Sequence, residues 1–402
     1  MSFSSKKYHI ITFGCQANTH DSEVIAGILE SLDFYETKDA GEADLLIINT
    51  CSVRQKSEDK VYGLGKKISE LRVNNPDVKV IMAGCMVGSV TGERQRFAFS
   101  ELRKRTPWAN EYINPTQIKE LPKVLLRLNL IDDWVMKALN MESVPAKRMK
   151  TFAPGENAIP NSKHAFVNIS VGCDNFCTFC VVPYARGKEV SRSKETILKE
   201  VAYLVKAGFS EVTLCGQNVN SWGLSTEKKF EIRSGSDEKL PFASLLREIH
   251  EIPGINKISF ISSNPFDFTT DLIDALKLPK VSKYLHMALQ SGNDEVLRRM
   301  NRRHTAQDFT NLVEKIRDKV PDIEIGTDII VGFPGETLEQ FLDTVELCKK
   351  IGFSVAYISI YSPRKGTPAE RFYKDDILLS EKKRRHAYLS QIIEESKVLI
   401  HN

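Results

Sequence analysis

The chain is short of several things, and each shortage narrows what it can be. No apolar run approaches the ~18 residues that cross a bilayer, and the opening MSFSSKKYHIITFGC lacks the apolar core of a secretory signal. A cytoplasmic protein is expected. Neither sign of charge dominates: 56 basic residues against 52 acidic ones leave a net +4, which suits a nucleic-acid partner without demanding one. Short-period repeats and low-complexity tracts are absent, which sets aside repeat architectures. No Ser-His-Asp or Cys-His arrangement stands out, so ordinary nucleophilic catalysis has no candidate. Cysteine is scarce too, with eight in 402 residues. In a reducing compartment these do not make a disulfide framework, and any clustering of them points to metal or catalysis.

What is there is the composition of a globular protein, 42% hydrophobic and 27% charged, in a chain too long for one core. Two domains are expected, over residues 1–145 and 161–402, with a linker at 146–160 inside the Pro-, Gly-, Asn- and Lys-containing stretch MESVPAKRMKTFAPGENAIPNSKH. In the first, the β-rich apolar runs 8–15, 43–51 and 78–85 alternate with helix-periodic stretches 21–34 and 55–73. That alternation predicts an α/β domain with a parallel sheet covered on both faces. Each run ends in a cysteine, Cys15, Cys51 or Cys85. On neighbouring parallel strands the three thiols emerge at the carboxyl edge, where open α/β sheets bind ligands. After the linker come six strand candidates, near 165–171, 211–215, 257–262, 284–289, 323–331 and 355–361, each followed by room for a helix. They predict a partial (βα)6 version of the eight-fold barrel, with its chemistry on the loops after the strands. The charge run EKKRRH (381–386) reads as a solvated helix face.

The first of those loops crowds three thiols together. In VGCDNFCTFCVVPYARG (171–187), Cys173, Cys177 and Cys180 can wrap one corner of an iron-sulfur cube, a cluster usually held by four cysteines. Cys215 and Cys348 are distant in sequence and read as structural thiols. Three protein ligands leave one iron open to an outside chelator, whereas a structural zinc, the competing reading, wants four. The spacing Cys-x3-Cys-x2-Cys resembles the signature of the radical S-adenosylmethionine superfamily. There the open iron takes the amino and carboxylate groups of S-adenosylmethionine, and an electron from the cluster releases a 5'-deoxyadenosyl radical.

The resemblance narrows further. GCDNFCTFCVVPYARGKEVSR is similar to the cluster loop of the methylthiotransferases, and TFGCQANTHDSE, NTCSVRQKSEDKVYG and AGCM are similar to their N-terminal domain. GQNVNSW, LQSGNDEVLRRMNRRHT, TDIIVGFPGET and YSPRKGTP continue the match in order, so it covers nearly the whole chain. Within the family, GCQANTHDSE, VVPYARGKEVSR and GQNVN most resemble the branch that methylthiolates N6-isopentenyladenosine at position 37 of tRNA. The alternatives are the branches acting on N6-threonylcarbamoyladenosine of tRNA or on an aspartate of a ribosomal protein. From another class, a non-catalytic iron-sulfur or zinc module that binds RNA is also open.

Membership implies two 4Fe-4S clusters, one on Cys173, Cys177 and Cys180 and an auxiliary one on Cys15, Cys51 and Cys85, whose free iron holds the sulfur to be inserted. It implies that one S-adenosylmethionine methylates that sulfur and a second, cleaved to the radical, activates carbon 2 of the adenine. That C–H bond is strong and non-acidic, out of reach of a side-chain base, so the cofactor carries the hard step. An electron donor such as flavodoxin or ferredoxin is expected, and a monomeric chain. For S-adenosylmethionine the candidates are Phe179 at the adenine; Gly216, Gln217 and Asn218 at the methionine moiety; and Ser262, Gln290, Asp328 and the turn GFPGE (332–336) at ribose and adenine. Arg186 and Arg192 are candidates for the carboxylate or an RNA phosphate. RRMNRRH (298–304), ERQRF (93–97) and RKR (103–105) are the basic stretches for RNA, whose modified base must be unstacked to react. Members acting on tRNA usually continue into a small β-barrel RNA-binding TRAM domain, which this sequence lacks. Either the chain is truncated or its two domains alone grip the tRNA.

Overall fold

The computed structural model describes residues 6–53, 55–138, 163–232 and 236–400, and the expected linker at 146–160 lies outside them. The chain divides into two compact units, Met1–Ser162 with Val181–Lys188, and Lys163–Cys180 with Glu189–Asn402. The second cysteine loop is thus followed by an eight-residue excursion into the first unit.

In the first unit β1 (Lys7–Thr12), β2 (Tyr35–Glu36), β3 (Leu45–Thr50), β4 (Lys79–Gly84) and β5 (Glu111–Ile113) form one sheet in the order β2-β1-β3-β4-β5. Every pairing is parallel. The three expected strands are its centre, and the added edge strands of two and three residues are too short to show a period. All six residues of β3 are buried. Leu45 and Ile47 enter a core with Ile25, Leu29 and Leu125, while Leu46 and Ile48 enter a second one with Val61, Ile68 and Val87. Alternate side chains leave a strand on opposite faces, and both faces here carry helices. The first helix runs Gln16–Glu30, five residues ahead of the expected start, because the Cys15 carbonyl already accepts from the Asn18 and Thr19 amides. The single helix expected at 55–73 is two, Gln55–Tyr62 and Leu64–Asn74, parted at Gly63.

The second unit contains β6 (His164–Asn168), β7 (Ser170–Val171), β8 (Val190–Ser191), β9 (Glu211–Cys215), β10 (Lys257–Phe260), β11 (Tyr284–His286), β12 (Glu324–Val331) and β13 (Val355–Ile360). β6-β9-β10 and β11-β12-β13 are parallel sheets. Parallel bridges Ile258–Val281 and Ser263–Met287 join them. Six parallel strands therefore run in chain order, the partial (βα)6 arc. Side chains from strands and covering helices, among them Phe242, Ile258, Leu285, Phe309, Ile329 and Phe353, fill a common core. Its helices Ala306–Lys319 and Leu338–Ile351 open on reciprocal caps, Thr305 with Asp308 and Thr337 with Gln340. β7 and β8 make a two-residue antiparallel clamp that pins residues 172–189 at both ends.

EKKRRH is a solvated face only in part: Lys383 and Arg384 are exposed. It lies in the helix Leu379–Ile400, where Lys382 and Arg385 are buried. Lys382 Nζ is 2.5 Å from Asp375 and Arg385 Nη1 is 2.8 Å from Glu336 Oε2, which also accepts from the Gly332 amide. Among the described residues no helix is long and apolar enough to cross a membrane.

Candidate metal centres and cofactor pocket

In the first unit β1, β3 and β4 are neighbours in register, Thr12 beside Asn49 and Thr50 beside Gly84, so the residues after them share one edge. Cys15 caps the first helix, Cys51 directly follows β3, and Cys85 opens the helix Cys85–Thr91. Glycines let these turns close on one another. A Cβ at Gly14 (φ +145°) would collide with Asn18 Oδ1 and lie 2.9 Å from the Cys51 Cβ. One at Gly84 (φ +90°) would collide with Asn49 Oδ1 and lie 2.5 Å from the Thr50 carbonyl. Only glycine suits either place. Two buried asparagines stitch the edge: Asn18 Nδ2 donates to the Thr50 carbonyl (3.0 Å), and Asn49 Nδ2 donates to the Asn18 carbonyl (2.8 Å).

Cys51 and Cys85 are buried and Cys15 is exposed. Burial pushes the Cys85 thiol up; the Arg186 guanidinium opposes this, and the neighbouring Asp21 and Cys15 reinforce it. Arg186 was expected at the cofactor carboxylate or a phosphate. It is instead buried within the first unit, with Nη2 2.7 Å from Asp21 Oδ2. Asn18, Asp21 and Asn49 were not singled out from the sequence; polar residues bracketing two cysteines at apolar strand ends were the available signal.

The second trio is local. Gly172 (φ +82°) turns the chain out of β7 into the loop, where Cys173 and Cys177 are buried and Cys180 is half-buried. The Cys180 amide donates to the Cys177 carbonyl at 2.9 Å. Burial lifts the Cys173 thiol well above its ordinary value and the Cys180 thiol adds to this, while the Asn175 amide opposes it. Arg302 Nη1 lies 3.5 Å from Cys177 Sγ. Phe176 adopts φ +50°, a strained backbone for an aromatic residue, and Asn301 Nδ2 holds its carbonyl at 3.0 Å. Among the described residues no three His, Cys, Asp or Glu side chains converge on a single-ion site. A cube asks for something else, one thiolate on each of three irons, and two all-cysteine trios suit that demand better than they suit zinc.

Of the expected cofactor residues, Gly216, Gln217, Asn218, Ser262 and Gln290 follow strands of the arc and Phe179 lies in the cysteine loop, but Asp328, expected at a strand end, is inside β12. Phe179 packs beside Met300, Phe333 and Tyr361. A Cβ at Gly216 would collide with Ser170 Oγ, a buried hydroxyl without a hydrogen-bond partner, so backbone and hydroxyl form a polar cradle. Gln217 is half-buried. Ser262 (φ +66°) is exposed, and its carbonyl accepts from Val219. Gln290 (φ +74°) donates its amide to the Asp328 carbonyl at 2.8 Å, and Asp328 Oδ2 meets His286 Nε2 at 2.8 Å. Two residues are otherwise engaged. Asn218 is buried in a side-chain network with Ser221, Asn264 and Asp267. Arg192 donates to the Asn168 carbonyl and pairs with Glu200, both at 2.6 Å.

The basic stretches are largely spent on the fold. Of RRMNRRH, Arg298 is exposed, but Arg299 donates to the Pro334 carbonyl, Arg302 to the Ala288 carbonyl, and Arg303 to the Lys229 carbonyl. In ERQRF, Arg96 is buried against Ser52 and Glu58. In RKR, Arg103, Lys104 and Arg105 are all exposed. A charge count cannot tell which guanidinium turns inward to cap carbonyls.

Residues 167–348 match the family described as Radical SAM superfamily, and residues 7–100 match the one described as Uncharacterized protein family UPF0004. Relatives include the tRNA-2-methylthio-N(6)-dimethylallyladenosine synthase of Carboxydothermus hydrogenoformans, 40% identical over 95% of this chain and 82% of the relative. That of Caldicellulosiruptor saccharolyticus is 39% identical over 97% of this chain and 78% of the relative. Among solved structures, the radical S-adenosylmethionine methyltransferase TsrM from Kitasatospora setae superposes with a TM-score of 0.63 at 15% identity, covering 91% of this chain and 75% of its own, a likeness of fold.

Proposed function

The chain belongs to the tRNA-2-methylthio-N(6)-dimethylallyladenosine synthase family of radical S-adenosylmethionine enzymes, and on that premise we propose how its residues divide the work. The reaction is methylthiolation of tRNA, in which N6-isopentenyladenosine at position 37 gains a methylthio group at carbon 2. Its cofactors are two 4Fe-4S clusters and S-adenosylmethionine. Cys173, Cys177 and Cys180 hold the cluster that binds S-adenosylmethionine, and Cys15, Cys51 and Cys85 hold the auxiliary one. When bound, these groups supply the carbon radical and the transferable sulfur, chemistry that no side chain offers. The protein's part is to keep one iron of each cube free of protein and to orient the cofactor. Gly216 admits it close to the backbone, Phe179 flanks its adenine, and Gln217, Ser262, Gln290 and Asp328 line its polar side. Asn218 and Arg192, engaged elsewhere, serve as scaffold.

The observation that carries this reading is 40% identity extending over 95% of the chain, and the family matches over 7–100 and 167–348 take in the two trios. The enzyme works in the cytoplasm as a monomer, reduced by a donor of the flavodoxin or ferredoxin class. Mass spectrometry of tRNA nucleosides from cells lacking and then regaining the gene tests it: the 2-methylthio nucleoside should vanish and return. Modification of threonylcarbamoyladenosine instead would move the chain to the neighbouring branch. Anaerobic reconstitution should give about eight irons per chain, two cubes of four.

A further inference from the structure

Arg186 lies six residues past Cys180 in sequence, yet its guanidinium is buried in the first unit beside the other trio. Its place is closely defined. Asp21, on the helix that Cys15 caps, takes Nη2 at 2.7 Å, and both side chains are under a tenth exposed. The backbone carrying it is seated on the helix Cys85–Thr91: a Cβ at Gly88 would overlap the Ala185 carbonyl oxygen, and one at Gly92 would lie 3.3 Å from that of Tyr184. The guanidinium also interacts electrostatically with Cys85 and with Cys15.

Buried ions are costly unless every donor and acceptor is used, and a guanidinium has five N–H groups in a planar fork. Asp21 uses one edge. Its charge also acts on Cys85 and Cys15, whose sulfurs are anionic as iron-bound thiolates. A fixed cation beside the ligating sulfurs bears directly on the potential of the cluster, which responds to the net charge around it. We infer that Arg186, braced by Asp21, is a fixed cation of the auxiliary cluster site and raises the cluster's reduction potential. The inference rests on Cys15, Cys51 and Cys85 holding a 4Fe-4S cluster.

The test uses the full chain with Cys173, Cys177 and Cys180 all changed to Ala, so that only the auxiliary cluster is reconstituted, and reads iron content and an EPR-monitored redox titration. Adding Cys51→Ala should remove the remaining iron; if it does not, the cluster assignment itself fails. With that assignment standing, Arg186→Gln should shift the midpoint to more negative potential and Asp21→Asn to more positive potential, at unchanged iron content. Arg186→Lys, which keeps the charge but not the fork, should recover part of the shift. Midpoints that coincide with the parent in Arg186→Gln and Asp21→Asn would overturn the inference. Should Arg186→Gln fail to fold, Arg186→Lys and Asp21→Asn decide it, by shifting the midpoint or leaving it in place.

Discussion

The two cysteine trios reach similar ends by opposite routes. Cys173, Cys177 and Cys180 sit within one loop, pinned at its ends by the β7–β8 clamp, so local sequence nearly suffices to assemble them. Cys15, Cys51 and Cys85 come from three strand ends and are brought to one edge only because β1, β3 and β4 pair in register and Gly14 and Gly84 let the turns close. The first trio should therefore tolerate distant change, and the second should report on the integrity of a whole sheet.

The strongest way to break this comparison is to remove one thiol from each. Cys177→Ala should reduce formation of 5'-deoxyadenosine to background. Cys51→Ala should leave that formation intact while insertion of the methylthio group disappears, as read by chromatography and tRNA nucleoside mass spectrometry. Next in size, Gly84→Ala adds handedness strain to a collision with Asn49 and Thr50. It should cost roughly 2–5 kcal/mol and lose about four irons, those of the auxiliary site alone. Gly187→Ala, with comparable backbone strain (φ +72°) but open space around it, should cost only about 1–2 kcal/mol and keep the iron. Smaller again, Asn49→Ala leaves the Asn18 carbonyl and Ser22 Oγ each short of a donor, and should cost about 1–3 kcal/mol in the denaturation midpoint of the first unit.

The smallest effect belongs to the second unit. Burial holds the His304 imidazole well below its ordinary value of 6.5, and Arg302 reinforces this. The unfolded chain then takes up this proton at a higher pH than the folded one. Stability from this site is whole above about pH 6.5 and is lost as pH falls below it. Thermal scans at about pH 7.5 and about pH 5.5 should show a smaller drop in Tm for His304→Leu than for the parent.

How much could be read in advance follows the same division between local and long-range. Alternating apolar runs announced the central strands of both units, with Glu211–Cys215 found at its expected bounds. The loop trio needed only spacing. The start of the first helix was hidden because Gln16, Asn18, Thr19 and His20 mask its period with polar side chains. Harder still was Arg186, whose partner Asp21 is 165 residues earlier. No local pattern encodes such a pairing. The same holds for the buried Arg96 and Arg385 and the half-buried Arg302, cations that a composition reads as surface. The left-handed backbones of Phe176, Ser262 and Gln290 leave no trace in residue type, since none is glycine.

The excursion of Val181–Lys188 into the first unit sets an order of events during synthesis. A ribosome usually lets an N-terminal domain finish before the next begins. Here the earlier unit lacks its last eight residues, and with them the cation beside Cys85, until the loop bearing Cys173 to Cys180 has already been translated. The first unit, with the cation beside Cys85, is therefore complete only once Val181–Lys188 have been made, after all six cysteines of the two trios.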